Sequence, residues 1–274
     1  MLNVNGVQLH YELKGRDGPP VVLVHGSWVD HANWSAVDDA LARSFRVLAY
    51  DRRGHSRSER PAGQGSVDED VADLAALIEA LGLAPAHVVG NSFGAVIALR
   101  LACERPELFA SLSVHEPPLI GLLDGDPGLR PMVEAVQSRL GAVAEQIARG
   151  DAAGASRKFV DEVALGPGSW DQLPPDMQAV FINNAPTFLD ETREPQAYGL
   201  DLERLRRFSA PALLTKGDQS PPFFAPVLDI VASALPHARR LTFEGAGHAP
   251  QMSHPEAFVS VVGGFIAEGA RVAA

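Results

Sequence analysis

The chain has little of several features that would assign it to a specialised class of protein. Cys103 is the only cysteine among 274 residues, so an intrachain disulfide is impossible and a reducing compartment is favoured. No stretch reaches the ~18 consecutive apolar residues that a membrane-spanning helix needs. The first residues, MLNVNGVQLHYELKG, also lack the basic and then apolar pattern of a signal peptide. We therefore expect a cytoplasmic protein that does not span a membrane.

Positive charge is also scarce. The chain has 23 Lys and Arg residues against 34 Asp and Glu, which gives a net charge of −11. This balance argues against nucleic acid or an anionic membrane as the main partner. The hydrophobic fraction of 46% and the charged fraction of 21% are typical of a globular protein. We expect a small-molecule substrate, and the composition leaves both a monomer and a homodimer open.

Strand and helix patterns alternate in the first part of the chain. Solid β-branched runs and helical spacings follow one another in the order Val21–Val24, Phe45–Tyr50, Val67–Leu81, His87–Val89, Ser92–Cys103 and Leu112–Val114. The segment Val4–Leu13 alternates apolar and polar residues, as an edge strand does. Such an alternation predicts an α/β fold in which helices cover both faces of a mostly parallel sheet.

The alternation stops between residues 119 and 208, where helical segments and Pro/Gly turns replace it. It resumes with a strand at Ala212–Thr215, a helix near Phe223–Ala234, a strand at Arg239–Phe243 and a closing helix from Pro255. We therefore predict an α/β core formed by residues 1–118 and 209–274, with an inserted helical cap at 119–208.

One short motif carries most of the chemical information. Gly90-Asn91-Ser92-Phe93-Gly94 has the form G-x-S-x-G and lies between a predicted strand and a predicted helix. A tight turn in this context strains the serine and points its hydroxyl out above the sheet. The start of the following helix offers amides and a positive dipole end to a developing oxyanion. Ser92 is therefore the candidate nucleophile.

A serine hydroxyl needs a base, and His248 is the best placed of the nine histidines. It ends Gly245-Ala246-Gly247-His248, a glycine-rich loop between the last strand and the last helix, which can carry an imidazole across to Ser92. His254 reads instead as a helix-entry residue. His25 follows a buried strand and is expected to organise the neighbouring loop.

Taken together, these features resemble the α/β-hydrolase superfamily. The resemblance rests on His25-Gly26, on the segment Asp51-Arg52-Arg53-Gly54-His55-Ser56-Arg57-Ser58, on the serine motif, on the helical insertion and on the late Gly-x-Gly-His. It implies that Ser92 is the nucleophile and His248 the general base. By family position it also implies that the oxyanion amides belong to Ser27 and Phe93.

The acidic member of the triad departs from the common family pattern. The usual acid stands three residues after a glycine that is here Gly217, but that position is Ser220. Two acids remain, Asp218 nearby and Glu116 at the end of the strand that follows the nucleophile helix. Sequences around His115-Glu116-Pro117-Pro118 and Ser253-His254-Pro255 are similar to zearalenone-type lactone hydrolases, whose acid is the earlier glutamate. This narrower resemblance favours Glu116, with Asp218 as the alternative.

The resemblance implies an esterase or lactonase that works through an acyl-enzyme on Ser92. No cluster has metal-ligand spacing and no G-x-G-x-x-G follows a strand, so we predict neither a metal nor another cofactor. Large apolar residues in the insertion predict a hydrophobic substrate. Trp28, next to Ser27, is a candidate for the pocket wall. The segment Asn184-Ala185-Pro186-Thr187-Phe188 resembles the lid segment that brings an aromatic onto substrate in the lactone hydrolases, which implies that Phe188 contacts the substrate. The alternatives are a cofactor-free C–C bond hydrolase or perhydrolase on the same fold, or a non-catalytic ligand-binding member.

Overall fold

The computed structural model describes residues 1–272 and contains nine strands. Their bounds are β1 Leu2–Val4, β2 Val7–Leu9, β3 Tyr11–Lys14, β4 Pro20–Val24, β5 Arg46–Tyr50, β6 Ala86–Asn91, β7 Phe109–His115, β8 Ala212–Gly217 and β9 Arg239–Phe243. Seven of them form one sheet in the order β3-β5-β4-β6-β7-β8-β9. Only β3 runs antiparallel to its neighbour, and the other six are parallel. The predicted α/β fold with a mostly parallel sheet is confirmed.

Helices fill the connections. Their bounds are α1 Asp38–Leu41, α2 Val67–Ala80, α3 Phe93–Glu104, α4 Arg130–Ala148, α5 Ala152–Phe159, α6 Pro175–Asn184, α7 Phe188–Thr192, α8 Leu202–Leu205, α9 Phe224–Ala234, α10 Pro250–Ser253, α11 Pro255–Phe258 and α12 Gly264–Val272. Every element described between β7 and β8 is helical. We call residues 119–208 the cap, which keeps the boundaries predicted from the sequence.

Successive side chains along the strands point to opposite faces of the sheet and belong to two separate hydrophobic cores. Val22 and Val24 pack on one face with α2, α3 and α9, while Val21 and Leu23 pack on the other with α11 and α12. A two-residue period of this kind is what a strand covered on both faces requires. A third cluster lies inside the cap, and Trp28 from the core domain is part of it.

The predicted edge strand at Val4–Leu13 is wrong in detail. Asn5 and Gly6 both have positive φ, at 49° and 81°, and turn the chain so that β1 and β2 form a separate antiparallel hairpin. An Asn-Gly pair is a typical hairpin turn because both residues tolerate left-handed backbone. Only Tyr11–Lys14 joins the main sheet, where it pairs with β5.

The single cysteine, Cys103, lies near the C-terminal end of α3. Its side chain is half-buried, and its sulfur lies 3.7 Å from the carbonyl oxygen of Asp201. Burial raises the pKa of the Cys103 thiol to about 12, so the group is a weak nucleophile near neutral pH.

We predict opposite effects on stability from alanine at two helical glycines. A Cβ at Gly94 would lie 2.2 Å from the carbonyl oxygen of Val24, so Gly94→Ala should destabilise the fold by about 1–3 kcal/mol or more. A Cβ at Gly141, in α4, meets nothing within 4 Å, so Gly141→Ala should stabilise by about 0.5–1 kcal/mol. Urea unfolding measures both free energies, and stabilisation by Gly94→Ala would contradict the close approach of α3 to β4.

Candidate active site

The turn between β6 and α3 has the strained geometry that the serine motif predicts. Ser92 has φ 56° and ψ −125°, a conformation that side-chain-bearing residues rarely adopt and that costs on the order of 1–3 kcal/mol. The two motif glycines make this turn possible. A Cβ at Gly90 would lie 2.6 Å from the carbonyl oxygen of Gly94. The strain is therefore supported by the packing of the two elements on each other.

The loop after β4 lies directly over Ser92. A Cβ at Gly26 would come within 2.8 Å of the Ser92 Cβ and 3.4 Å of its Oγ, so only glycine fits there. Neither the Ser27 amide nor the Phe93 amide donates a hydrogen bond to any part of residues 1–272. Both predicted oxyanion amides are thus uncommitted, on the loop over Ser92 and at the start of α3.

His25 organises this loop from below. Its Nδ1–H donates to the carbonyl oxygen of Gly26 over 2.8 Å, and its Nε2 accepts from the Arg52 amide over 2.9 Å. Burial, together with the nearby Arg52 guanidinium, lowers the pKa of His25 to about 4. A neutral ring satisfies both hydrogen bonds because one nitrogen must donate and the other accept.

Glu116 holds the imidazole of His248. The Nδ1 of His248 lies 2.7 Å from Oε2 of Glu116, and the Gly217 amide donates to the other carboxylate oxygen over 2.7 Å. The carboxylate is fully buried at the end of β7, where Glu116 has a positive φ of 48°. Burial alone would raise the pKa of Glu116, but hydrogen bonds and charge from His115 and His248 hold it well below its usual range.

Further contacts fix His248 and the loop that carries it. The Phe224 ring stacks on the imidazole at 4.6 Å between centroids and 16° between planes. Asn91 donates from Nδ2 to the backbone oxygen of His248 over 3.0 Å, and Gln251 in turn donates to Oδ1 of Asn91 over 3.3 Å. The loop approaches β8 so closely that a Cβ at Gly217 would lie 2.2 Å from the Ala246 oxygen.

The alternative acid, Asp218, is used differently. Its side chain is exposed, and Oδ1 accepts the amide of Gly245 over 2.8 Å, which closes the loop after β9. His254 is also outside the cluster around Glu116, with Nδ1 2.9 Å from the hydroxyl of Ser253 at the entry of α11.

A buried ion network joins the cap to the loop that carries Ser27. Glu191, on α7 of the cap, accepts the Ser27 hydroxyl at Oε2 over 2.5 Å and the Arg52 guanidinium at Oε1 over 3.1 Å. Arg52 also binds Asp70 on α2, with its Nη2 2.8 Å from Oδ2. Burial raises the pKa of Glu191 to about 7, although Arg52 and Ser27 oppose that shift.

Each of two clusters brings three potential metal-ligand atoms within 4.8 Å of one another. The first consists of His10, His31 and Asp51, and the second of His115, Glu116 and His248. In the second cluster Glu116 already accepts from His248. In the first, His31 Nδ1 lies 2.5 Å from Asp51, and the Arg57 guanidinium lies 3.2 Å from His10. Contacts within the protein account for both clusters, and the absence of a metal stays a prediction.

Ser92 and His248 face a common cavity of about 370 Å³ between core and cap. Its polar wall includes Ser27, Asn33 and Asn91. Its larger, apolar wall is lined by Val29, Phe159, Ala164, Leu165, Leu173, Met177, Phe181, Ala249 and Met252.

The predicted substrate contacts Trp28 and Phe188 are not among the residues that line this cavity. Trp28 is fully buried, with its ring 4.7 Å from that of Phe159 and 5.0 Å from that of Phe188. The structure corrects this prediction, because both rings pack behind Phe159 in the cap cluster.

Several residues of the site were missed by the sequence reasoning. Asn91 and Gln251 lie beside recognised residues, so a search for polar side chains next to Ser92 and after His248 could have found them. Glu191 gave no such signal, because its partners Arg52 and Ser27 lie 139 and 164 positions away.

Comparison with known proteins establishes the family. Residues 19–255 match the alpha/beta hydrolase fold family. The chain belongs to this family and is an α/β hydrolase.

Three relatives illustrate the range of similar proteins. The chain is 40% identical to the uncharacterized hydrolase YraK of Bacillus subtilis over 46% of each chain, so it matches less than half of that protein's length. It is 28% identical to a pimeloyl-[acyl-carrier protein] methyl ester esterase of Aeromonas hydrophila, over 91% of this chain and 96% of the other. It is 30% identical to a 2-hydroxymuconate semialdehyde hydrolase of a Pseudomonas species, over 92% and 88%. The narrower resemblance to zearalenone-type lactone hydrolases is not shown by these matches.

A search of the described helices for one with the length and apolar content needed to cross a bilayer found none.

We predict that His25 stays neutral well below the pH at which an exposed histidine is charged. An unfolded chain protonates histidine near pH 6.5, whereas His25 in the fold resists protonation until about pH 4. Between these values the unfolded state binds more protons, so this group lowers the free energy of unfolding as the pH falls. Long-range ¹H–¹⁵N spectra of the imidazoles should show the neutral Nδ1–H tautomer of His25 at pH 5, and a charged ring at pH 6 would contradict the assignment.

Proposed function

We propose that this α/β hydrolase is a serine hydrolase that cleaves a carboxylic ester or lactone through an acyl-enzyme on Ser92. The observation that supports it most is the 2.7 Å contact between Glu116 and Nδ1 of His248, on an imidazole that shares a cavity with the strained Ser92. With Nδ1–H donated to the carboxylate, Nε2 carries a lone pair and is able to accept a proton.

In the proposed mechanism His248 takes the proton of Ser92 as Oγ attacks the substrate carbonyl. The Ser27 and Phe93 amides hold the oxyanion of the tetrahedral intermediate, and Glu116 stabilises the imidazolium. Collapse expels the alcohol, which receives the proton from His248, and leaves an acyl-enzyme. A water molecule that His248 deprotonates then attacks this ester, and His248 returns the proton to Oγ of Ser92 as the acid is released.

The cavity wall supports a hydrophobic substrate with few polar anchors. Apart from the groups around Ser92 and His248, its polar side chains include Asn33, whose Nδ2 is buried and has no hydrogen-bond partner in the part of the chain that the structure describes. Because this Nδ2 is shielded, Asn33 adds no polar anchor at the cavity surface. We infer an apolar ester or lactone.

The second candidate is C–C bond hydrolysis, which the similarity to 2-hydroxymuconate semialdehyde hydrolase favours. The similarity to an esterase, of comparable extent, favours the ester reaction. The same serine, histidine and amides would serve either reaction, so turnover of esters and of vinylogous diketones by the purified protein distinguishes them. A non-catalytic ligand-binding protein would turn over neither and would leave Ser92 unlabelled.

We predict that a fluorophosphonate probe labels Ser92 and that this labelling depends on Glu116. Ser92→Ala should abolish labelling and lower kcat about 10³–10⁶-fold, and Glu116→Gln should lower kcat about 10⁴-fold because the imidazole loses its orienting charge. Peptide mapping identifies the labelled residue, and ester hydrolysis gives kcat.

Asp218→Asn is the matched control, since it neutralises the alternative acid without touching His248. It should leave labelling and kcat close to those of the wild type. Loss of activity in Asp218→Asn but not in Glu116→Gln would overturn the assignment of the acid.

We predict that a larger side chain on the apolar wall of the cavity reduces the acyl length of the esters that the protein accepts. Met177 lines the cavity from α6, so Met177→Trp should lower kcat/KM for long acyl esters and spare acetates. Ala179→Trp places the same ring at an exposed position of that helix and serves as the control. A series of p-nitrophenyl esters of increasing acyl length measures the change, and equal effects of the two variants would contradict the assigned cavity.

A further inference from the structure

Hydrogen bonds from His25, Arg52 and Asn184 hold the carbonyl oxygens on either side of Ser27, which leaves the Ser27 side chain itself to be supported. Gly26 must be a glycine for steric reasons, and Trp28 beside Ser27 has a positive φ of 71°. A loop of this kind can shift, and a displacement of about 1 Å in a catalytic group can cost a large part of the rate. What fixes Ser27 therefore matters for any reaction that uses its amide.

The cap supplies that support through Glu191. The Ser27 hydroxyl donates to Oε2 of Glu191 over 2.5 Å, a length typical of a hydroxyl bound to a carboxylate. Glu191 is only 2% exposed, and Ser27 is partly buried at the cavity wall. The bond thus restrains the backbone of Ser27 from the cap side of the cavity.

Arg52 completes the arrangement from the core side. Its Nη1 lies 3.1 Å from Oε1 of Glu191 and 3.4 Å from the carbonyl oxygen of Gly26. Its guanidinium also lies over the Phe93 ring, 5.0 Å from the centroid, and is anchored to α2 by Asp70. One buried cation therefore contacts the two segments that carry the predicted oxyanion amides.

We propose that Glu191 is a positioning residue for the oxyanion site: through Ser27 and Arg52 it ties the docked cap to the geometry of the Ser27 amide. The inference rests on the proposed serine-hydrolase function. Its consequence is that the cap contributes to kcat and does not only shape the substrate cavity.

The same helix offers a matched control. Asp190, next to Glu191 on α7, also joins cap to core, but it accepts the Gly65 amide over 2.9 Å, whereas Glu191 accepts from Ser27 and Arg52. A purely structural role for Glu191 would make the two carboxylates equivalent. A positioning role would set Glu191 apart in kcat while both affect stability.

The test is a double-mutant cycle on purified full-length protein with an ester substrate. Glu191→Ala and Ser27→Ala should each lower kcat about 10- to 100-fold with KM little changed, and the double variant should be no slower than the slower single variant. Glu191→Gln, which keeps an acceptor for the Ser27 hydroxyl, should recover most of the loss. Affinity for a trifluoromethyl ketone, whose adduct carries an oxyanion, should fall in parallel with kcat.

The opposite results would overturn the proposal. They are an unchanged kcat in Glu191→Ala, effects of Ser27 and Glu191 that multiply in the double variant, or a loss of kcat in Asp190→Ala equal to that in Glu191→Ala. If Glu191→Ala does not fold, an unchanged kcat in Ser27→Ala overturns it instead. Failure of the proposed function would look different: the wild-type protein would show neither turnover nor labelling of Ser92. The variant results above leave both of those wild-type properties intact.

Discussion

A single buried negative charge organises the carboxyl edge of the sheet. The carboxylate of Glu116 is fully shielded from water, and such a charge is tolerated only when hydrogen-bond donors surround it. Gly217 at the end of β8 and His248 after β9 supply them. The ends of three adjacent strands therefore converge on one side chain. The imidazole takes its position because it donates a hydrogen bond to this buried carboxylate.

The convergence depends on backbones that approach more closely than side chains allow. Gly26 over Ser92, Gly94 beneath the loop after β4 and Gly217 against Ala246 each exclude a Cβ. Ser92 and Glu116, at the ends of two strands of this edge, both adopt positive φ. Strain at these two positions is balanced by the packing of the sheet and its helices.

Local sequence patterns were enough to predict the fold and to single out Ser92 as the candidate nucleophile. The β-branched runs mark the buried strands, and the glycines around Ser92 and before His248 mark turns that are specific to this arrangement. The choice between Glu116 and Asp218 needed the resemblance, because both acids follow strands that end at the same edge. The structure places Glu116 beside His248 and uses Asp218 to close the Gly245 turn.

The contacts between the cap and the core could not be predicted from the sequence, for a physical reason. Its contacts with the core join residues far apart in the sequence, so neither the pairing of Glu191 with Arg52 nor the burial of Trp28 leaves a periodic signal. Aromatic residues in an insertion can line a cavity or fill the insertion's own interior, and composition does not distinguish these two roles. Phe159 lines the cavity, whereas Trp28 and Phe188 pack behind it.

The placement of Trp28 bears on how far this protein can be divided into exchangeable parts. An indole that belongs to the core by sequence forms part of the interior of the cap, stacked on Phe159. Exchanging the cap for that of another hydrolase would expose this ring and leave the Arg52 guanidinium without Glu191. Chimaeras of this protein must therefore carry residues 27 and 28 together with the cap. The segment to exchange is then not the continuous insertion 119–208 alone.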